Sequence, residues 1–212
     1  MRHVNEWVAS WNRWPHLSLA GLYPNAPMDE LLGECDRIAG MGLLGVKFHP
    51  EYQQFGILEE RLNPLWDKLE SLKLPALFHA GSDIGFMGQA PHSRPADFAL
   101  LAERHPGLTI ICAHLGGWRN WDEVESDLAG APVYLDTSFS KCWMTDQEQF
   151  ERIIRKHGVS KVLFGTDSPW SPLDCALREI EETGLTDEEK AAIFYGNAAG
   201  IFPLPGFAET TG

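Results

Sequence analysis

The chain is short of positive charge: 17 lysines and arginines face 30 aspartates and glutamates, for a formal net charge of −13. Such a surface repels phosphate backbones and anionic lipid, so neither nucleic acid nor a membrane is an expected partner and a small molecule is. Cysteine is sparse too. Cys35, Cys112, Cys142 and Cys175 lie far apart with no CxxC spacing, which excludes a thiolate zinc site and a disulfide framework and suits a reducing, cytoplasmic location. No apolar run reaches the roughly 18 residues of a membrane span, and the opening MRHVNEWVASWNRWPH has no apolar leader segment. Nor does a composition shift or long linker divide the 212 residues, so one domain over 1–212 is expected.

What is present is a repeat of short apolar runs: LSLAGL, LLGVKF, LPALFHAG, LTIICAH, PVYLDTS and KVLFGTD. Amphipathic segments separate them, with helices expected over 29–40, 58–71, 95–105, 121–129, 145–157 and 172–182. Thr186 followed by Glu189 is a capping box that opens one more helix. Strand-terminal polar residues recur at roughly the 30-residue period of a βα unit. Strands that are apolar on both faces need helices outside and packed side chains inside, which a parallel α/β barrel supplies. An eight-stranded barrel takes about 250 residues. Here a leading helix from Arg2 to Trp14 has no strand before it, so the expected fold is a (β/α)8 TIM-barrel-like domain, incomplete at the N-terminus and reduced to about six βα units.

Three runs end on a side chain able to bind metal: His79 in ALFHAG, His114 in TIICAHLGG and Asp167 in VLFGTDSPW. Titratable residues at the C-terminal ends of strands are how such folds present chemistry. By strand alternation Lys47 shares a face with His49, and Leu77 with His79. If these faces point inward, Lys47, His49, His79, His114 and Asp167 meet at one mouth, where imidazoles and a carboxylate suit a divalent ion with nitrogen and oxygen ligands. Each residue alone has an ordinary explanation. His79 can be a hydrogen-bonded structural histidine, Asp167 a turn or cap residue, Lys47 a solvated strand-end charge, and His49 before Pro50 part of a turn. His3, His16, His105 and His157 are expected at the surface.

The pieces GVKFHPEYQ, LPALFHAGSDIGF, IICAHLGGWRNWDEV, VYLDTS, RIIRKHGVSKVLFGTDSPW and GNAAGIF, in this order, resemble the amidohydrolase-related branch of the metal-dependent hydrolase superfamily that includes aminocarboxymuconate-semialdehyde decarboxylase-like enzymes. The resemblance implies a distorted barrel with one divalent metal, zinc first and manganese as the alternative. It implies His79 and Asp167 as metal ligands, and His114, with Asp167, in catalysis. A strand-four lysine that binds metal in related subgroups corresponds to Lys47. The HxH motif that ends the family's first strand, and supplies two further ligands, has no counterpart in this sequence.

The loop from His79 to Pro95 is glycine-rich and suits a lid, where His92 and Arg94 meet an anionic substrate or are merely solvated. Trp118, Trp121 and Trp170 wall a pocket for planar substrates, with core packing the competing reading for Trp121. The activity implied by the resemblance is hydrolysis of a small-molecule amide, lactone or related bond by metal-activated water. The alternatives are non-oxidative decarboxylation of a planar acid by the same family, and a truncated, non-catalytic barrel fragment. Exposed sheet edges favour association into homo-oligomers, or completion by a partner chain.

Overall fold

The computed structural model describes residues 1–204. Each apolar run holds one strand: β1 (Ala20–Gly21), β2 (Val46–Phe48), β3 (Ala76–Phe78), β4 (Ile110–Cys112), β5 (Tyr134–Asp136) and β6 (Val162–Leu163). All five pairings are parallel and follow chain order. The ladders run on just outside the strands, as in Val46 N–H to the Pro75 carbonyl at 2.8 Å and Ala76 N–H to the Thr109 carbonyl at 2.9 Å. This is the partial α/β barrel expected from the repeat. Among the described residues β1 and β6 are its two edges.

Helices cover the strands because their apolar positions fall on one stripe. Met28–Gly40 buries Leu31, Cys35 and Ile38; Asn63–Ser71 buries Leu65, Trp66 and Leu69; Glu148–His157 buries Phe150, Ile153 and Ile154. Two begin later than their patterns predict. Residues Glu60–Leu62 form a 3₁₀ turn before Pro64 admits the α-helix, and Asp146 accepts from Glu148 N–H at 3.0 Å, which moves the start of that helix to Glu148–His157. The Thr186–Glu189 capping box forms and opens Asp187–Ala191.

Between sheet and helices lies an aromatic core. The fully buried Phe48 packs on Phe78 (centroids 5.1 Å apart), Trp66 (5.4 Å) and Phe55 (6.1 Å). This fixes the outward face of β2 and leaves the alternate residue, Lys47, on the other face.

The edge of β1 is met by a side chain. Asn5, fully buried on the leading helix Arg2–Trp11, donates to the Gly21 carbonyl at 3.0 Å and accepts from Gly21 N–H at 2.9 Å, standing where a neighbouring strand would bond. It also donates to the buried Glu34 at 2.9 Å.

Two histidines expected at the surface are buried. His105 lies 3.0 Å from the Asp67 carboxylate, and His157 is wedged between the Val133 carbonyl (3.0 Å) and Gly130 N–H (3.2 Å). Both close the C-terminal end of a helix that packs on the sheet, and there tertiary packing outweighs the polar character of the residue.

Candidate functional site

Lys47 and His49 from the end of β2, His79 from the end of β3, His114 after β4 and Asp167 after β6 line one cavity of about 410 Å³. Tyr52, Asp83, Ile84, Trp118, Phe139 and Trp170 complete its wall. The five residues singled out by strand position therefore meet, but strand alternation alone does not deliver them. His114 (φ 60°), Leu115 (φ 51°) and Asp167 (φ 58°) hold left-handed backbone, which costs a non-glycine residue about 1 kcal/mol or more. The chain turns sharply at these two strand ends and aims both side chains into the cavity. Asp136 supports the first turn, its Oδ1 accepting from His114 N–H at 3.1 Å and from Ser138 N–H at 2.9 Å.

Gly81 shapes the loop between His79 and Asp83. With φ 83° and a parallel bridge to Trp118, it allows an approach so close that an added Cβ would stand 2.5 Å from Trp118 N. Trp118 N–H donates to the Ala80 carbonyl at 2.8 Å and Ser82 N–H to the Trp118 carbonyl at 3.0 Å, locking the β3 and β4 loops together. Trp118 then stacks on Phe139 (6.2 Å, 21°), which packs on Trp143 (4.9 Å). These rings form an aromatic side to a cavity whose base is polar.

Along that base runs a row of contacts. His114 Nδ1 lies 3.1 Å from the Ser138 carbonyl, His114 Nε2 lies 3.0 Å from His79 Nδ1, and His79 Nε2 lies 3.0 Å from the Ser82 carbonyl. Burial, above all, holds His114 below its ordinary range, and burial followed by the neighbouring His114 and His49 holds His79 well below it, so both rings are neutral. Both ends of the row are acceptors. Two neutral imidazoles bring two protons to three gaps, so one of the three contacts lacks a hydrogen. The Ser138 Oγ beside His114 Nδ1 brings none, because it donates to Asp136 at 2.5 Å. Assigning the protons inward from Ser138 leaves His79 Nε2 bare at the far end.

Other donors gather at that end. Asp83 Oδ2 is 3.8 Å from His79 Nε2 and 3.6 Å from His49 Nε2, and the three ligand atoms lie within 4.8 Å of one another. The His49 ring stacks on His79 at 4.2 Å and 8°. His49 is also a turn residue, its Nδ1 accepting from Tyr52 N–H at 3.4 Å to cap Pro50–Gln53. Two imidazoles and a carboxylate gather here, the donor types of a divalent ion with nitrogen and oxygen ligands; because His49 Nδ1 accepts from Tyr52 N–H its proton sits on Nε2, so His49 joins a metal only by giving up that turn contact.

Asp167 lines the same cavity but lies outside that three-residue group. Burial, opposed by His114 and Lys47 and reinforced by Asp136, raises its pKa. Lys47 is pushed down to about 8 by burial, against the pull of Asp136 and Asp167. The lid residues His92 and Arg94 do not line the cavity: His92 N–H donates to Glu51 at 2.7 Å and Arg94 pairs with Glu123 at 2.8 Å. Trp121 is a packing residue, buried with its Nε1–H on the His114 carbonyl at 3.0 Å. Sequence reasoning missed Asp83, Tyr52 and Phe139. For Asp83 the available signal is a carboxylate four residues beyond a strand-terminal histidine, across a glycine turn.

Comparison with known proteins places this chain in a family. The chain is similar to gamma-resorcylate decarboxylase of Polaromonas sp. (strain JS666 / ATCC BAA-500), at 22% identity over 176 residues, 66% of this chain and 54% of that protein. It thus spans about half the length of this curated relative. Among solved structures it is similar to 5-carboxyvanillate decarboxylase from Sphingomonas paucimobilis, with a TM-score of 0.73, 18% identity, and coverage of 96% of this chain and 72% of the other. It is also similar to a dihydroxybenzoic acid decarboxylase from Polaromonas sp. JS666 with bound manganese and the inhibitor 2-nitroresorcinol, with a TM-score of 0.67, 19% identity, and coverage of 96% and 74%. At these identities the structures establish the barrel fold. The amidohydrolase family matches residues 2–204, nearly the whole chain, and the protein belongs to that family.

Proposed function

We propose that the site performs metal-dependent, non-oxidative decarboxylation of a small planar carboxylic acid. The observation that carries this reading is the convergence of Lys47, His49, His79, Asp83, His114 and Asp167 in one cavity walled by Trp118 and Phe139. The similar proteins named above are decarboxylases. That favours decarboxylation, the alternative reading of the sequence, over hydrolysis of an amide or lactone.

On this reading His79 and Asp83 would hold the divalent ion, with His49 joining them by giving up its Nδ1 contact to Tyr52 N–H. When bound there, the ion supplies Lewis-acid polarisation of a substrate oxygen. Trp118 and Phe139 orient the ring and keep water from it. Asp167, expected as a second ligand, acts instead from outside the donor group, where its raised pKa lets it carry a proton into the cavity. It delivers that proton to the ring carbon bearing the carboxylate. The C–C bond then breaks, CO2 departs, and the electron pair returns to the ring. His114 holds His79 in the metal-binding tautomer through the 3.0 Å contact of its Nε2 with His79 Nδ1.

The experiment is to load the purified chain with Mn²⁺, add gamma-resorcylate, and follow CO2 and resorcinol by NMR, beside amide and lactone substrates. Metal-dependent CO2 release that is lost in Asp167→Asn supports the reading. Hydrolysis of an amide or lactone without CO2 release overturns it.

A further inference from the structure

Lys47 is the one lysine or arginine among the described residues that line the cavity. Its ammonium makes no hydrogen bond and no ion pair within 4.0 Å among those residues. Buried or half-buried lysines are ordinarily paired, because desolvating an ammonium without a partner is costly. Here the partners stand off: Asp136 and Asp167 act on Lys47 only through space. The fold nevertheless fixes the residue firmly. Val46 and Phe48 on either side are fully buried, and Lys47 pairs in register with Gly21 on one side and Leu77 on the other. A cation held on a rigid strand, facing open space and free of contact partners, is built to receive an anion.

We propose that Lys47 is the carboxylate-binding residue of the pocket and makes this site selective for acids over their neutral analogues. This rests on the decarboxylase reading for its choice of ligand, but not for its geometry. A carboxylate on Lys47 sets the attached ring against the Trp118–Phe139 wall, at the same cavity as Asp167. No arginine competes for the role. Arg119, the nearest in sequence to the aromatic wall, lies 4.9 Å over the ring of Trp118 and does not line the cavity.

The test is calorimetric titration of the Mn²⁺-loaded chain with gamma-resorcylate and with its carboxamide, in wild type, Lys47→Met, Lys47→Gln and Lys47→Arg. Wild type is expected to prefer the acid by about tenfold or more, the scale of one charge-assisted hydrogen bond. The Met and Gln variants are expected to bind both ligands within about threefold of each other, and the Arg variant to regain most of the preference. Two neutral replacements guard against one that fails to fold, which circular dichroism reveals. Equal binding of acid and amide by wild type overturns the proposal, as does an acid preference that survives in a folded Met or Gln variant. CO2 is followed in the same samples. Acid selectivity that depends on Lys47 without CO2 release leaves the anchor standing and removes the decarboxylase reading. CO2 release with selectivity indifferent to Lys47 does the reverse.

Discussion

Acid lability should trace in large part to a histidine far from the cavity. His157 Nε2–H donates to the Val133 carbonyl and its Nδ1 accepts from Gly130 N–H, so the neutral ring is fully satisfied. A second proton on Nδ1 would face the Gly130 N–H, and burial, the first cause, already pushes the pKa from 6.5 down to about 4. The unfolded chain titrates near 6.5, so between pH 6.5 and 4 it binds more protons than the folded one, and stability falls as pH falls. At 1.36 kcal/mol per pH unit the full loss is about 3 kcal/mol, with about 2 kcal/mol of it spent by pH 5. Above pH 6.5 this residue adds no pH dependence. Urea denaturation of wild type and His157→Gln between pH 7.5 and 4.5 isolates the effect, since glutamine keeps a donor for Val133 and cannot titrate. His49, His79 and His114 are also held low by burial and contribute to both proteins alike. Wild type should lose about 2 kcal/mol more than the variant between pH 7.5 and 5. Parallel pH profiles would refute the reasoning.

Asp83→Asn should weaken Mn²⁺ binding by about 10- to 100-fold in calorimetry, because it removes the carboxylate from the donor group while leaving the Gly85 N–H contact of its Oδ1 replaceable by the amide oxygen. Gly81→Ala should destabilise the chain by about 2 kcal/mol or more in urea and blunt ligand binding, since its left-handed φ of 83° and the 2.5 Å approach to Trp118 N leave no room for a methyl group.

The strands were readable because each is a dense apolar run, and the convergence of Lys47, His49, His79, His114 and Asp167 because each sits at or just beyond a strand end. What could not be read was set by backbone that leaves regular geometry. Asp83 reaches His79 only through the turn at Gly81, and His114 and Asp167 enter the cavity through left-handed residues that no alternation rule anticipates. Asp136 ends β5, and its work is to hold the His114 turn through backbone N–H groups, which sequence does not display. His105 and His157 were misplaced for the opposite reason. Their residue type argues for solvent, while the sheet beneath their helices decides for burial.

The charges of the cavity bear on the choice between decarboxylation and hydrolysis. Asp136 and Asp167 act through space on the one cavity ammonium, Lys47, Asp83 adds a third carboxylate at the cavity wall, and the three histidines are held low by burial. On the proposed reading, in which a divalent ion is bound and Asp167 enters as the proton donor, the group carries one excess positive charge. A monoanionic acid cancels it. When the proton passes from Asp167 to the ring carbon and CO2 departs, the products are neutral and Asp167 is an anion, so the site is balanced again. Both ends of the reaction are then neutral in a partly buried pocket, where unbalanced charge is costly. A neutral amide or lactone would leave the same site one charge in excess from the moment of binding. With Asp167 as the proton donor, the charge inventory of these side chains supports the proposed decarboxylation of an acid over hydrolysis of a neutral amide or lactone.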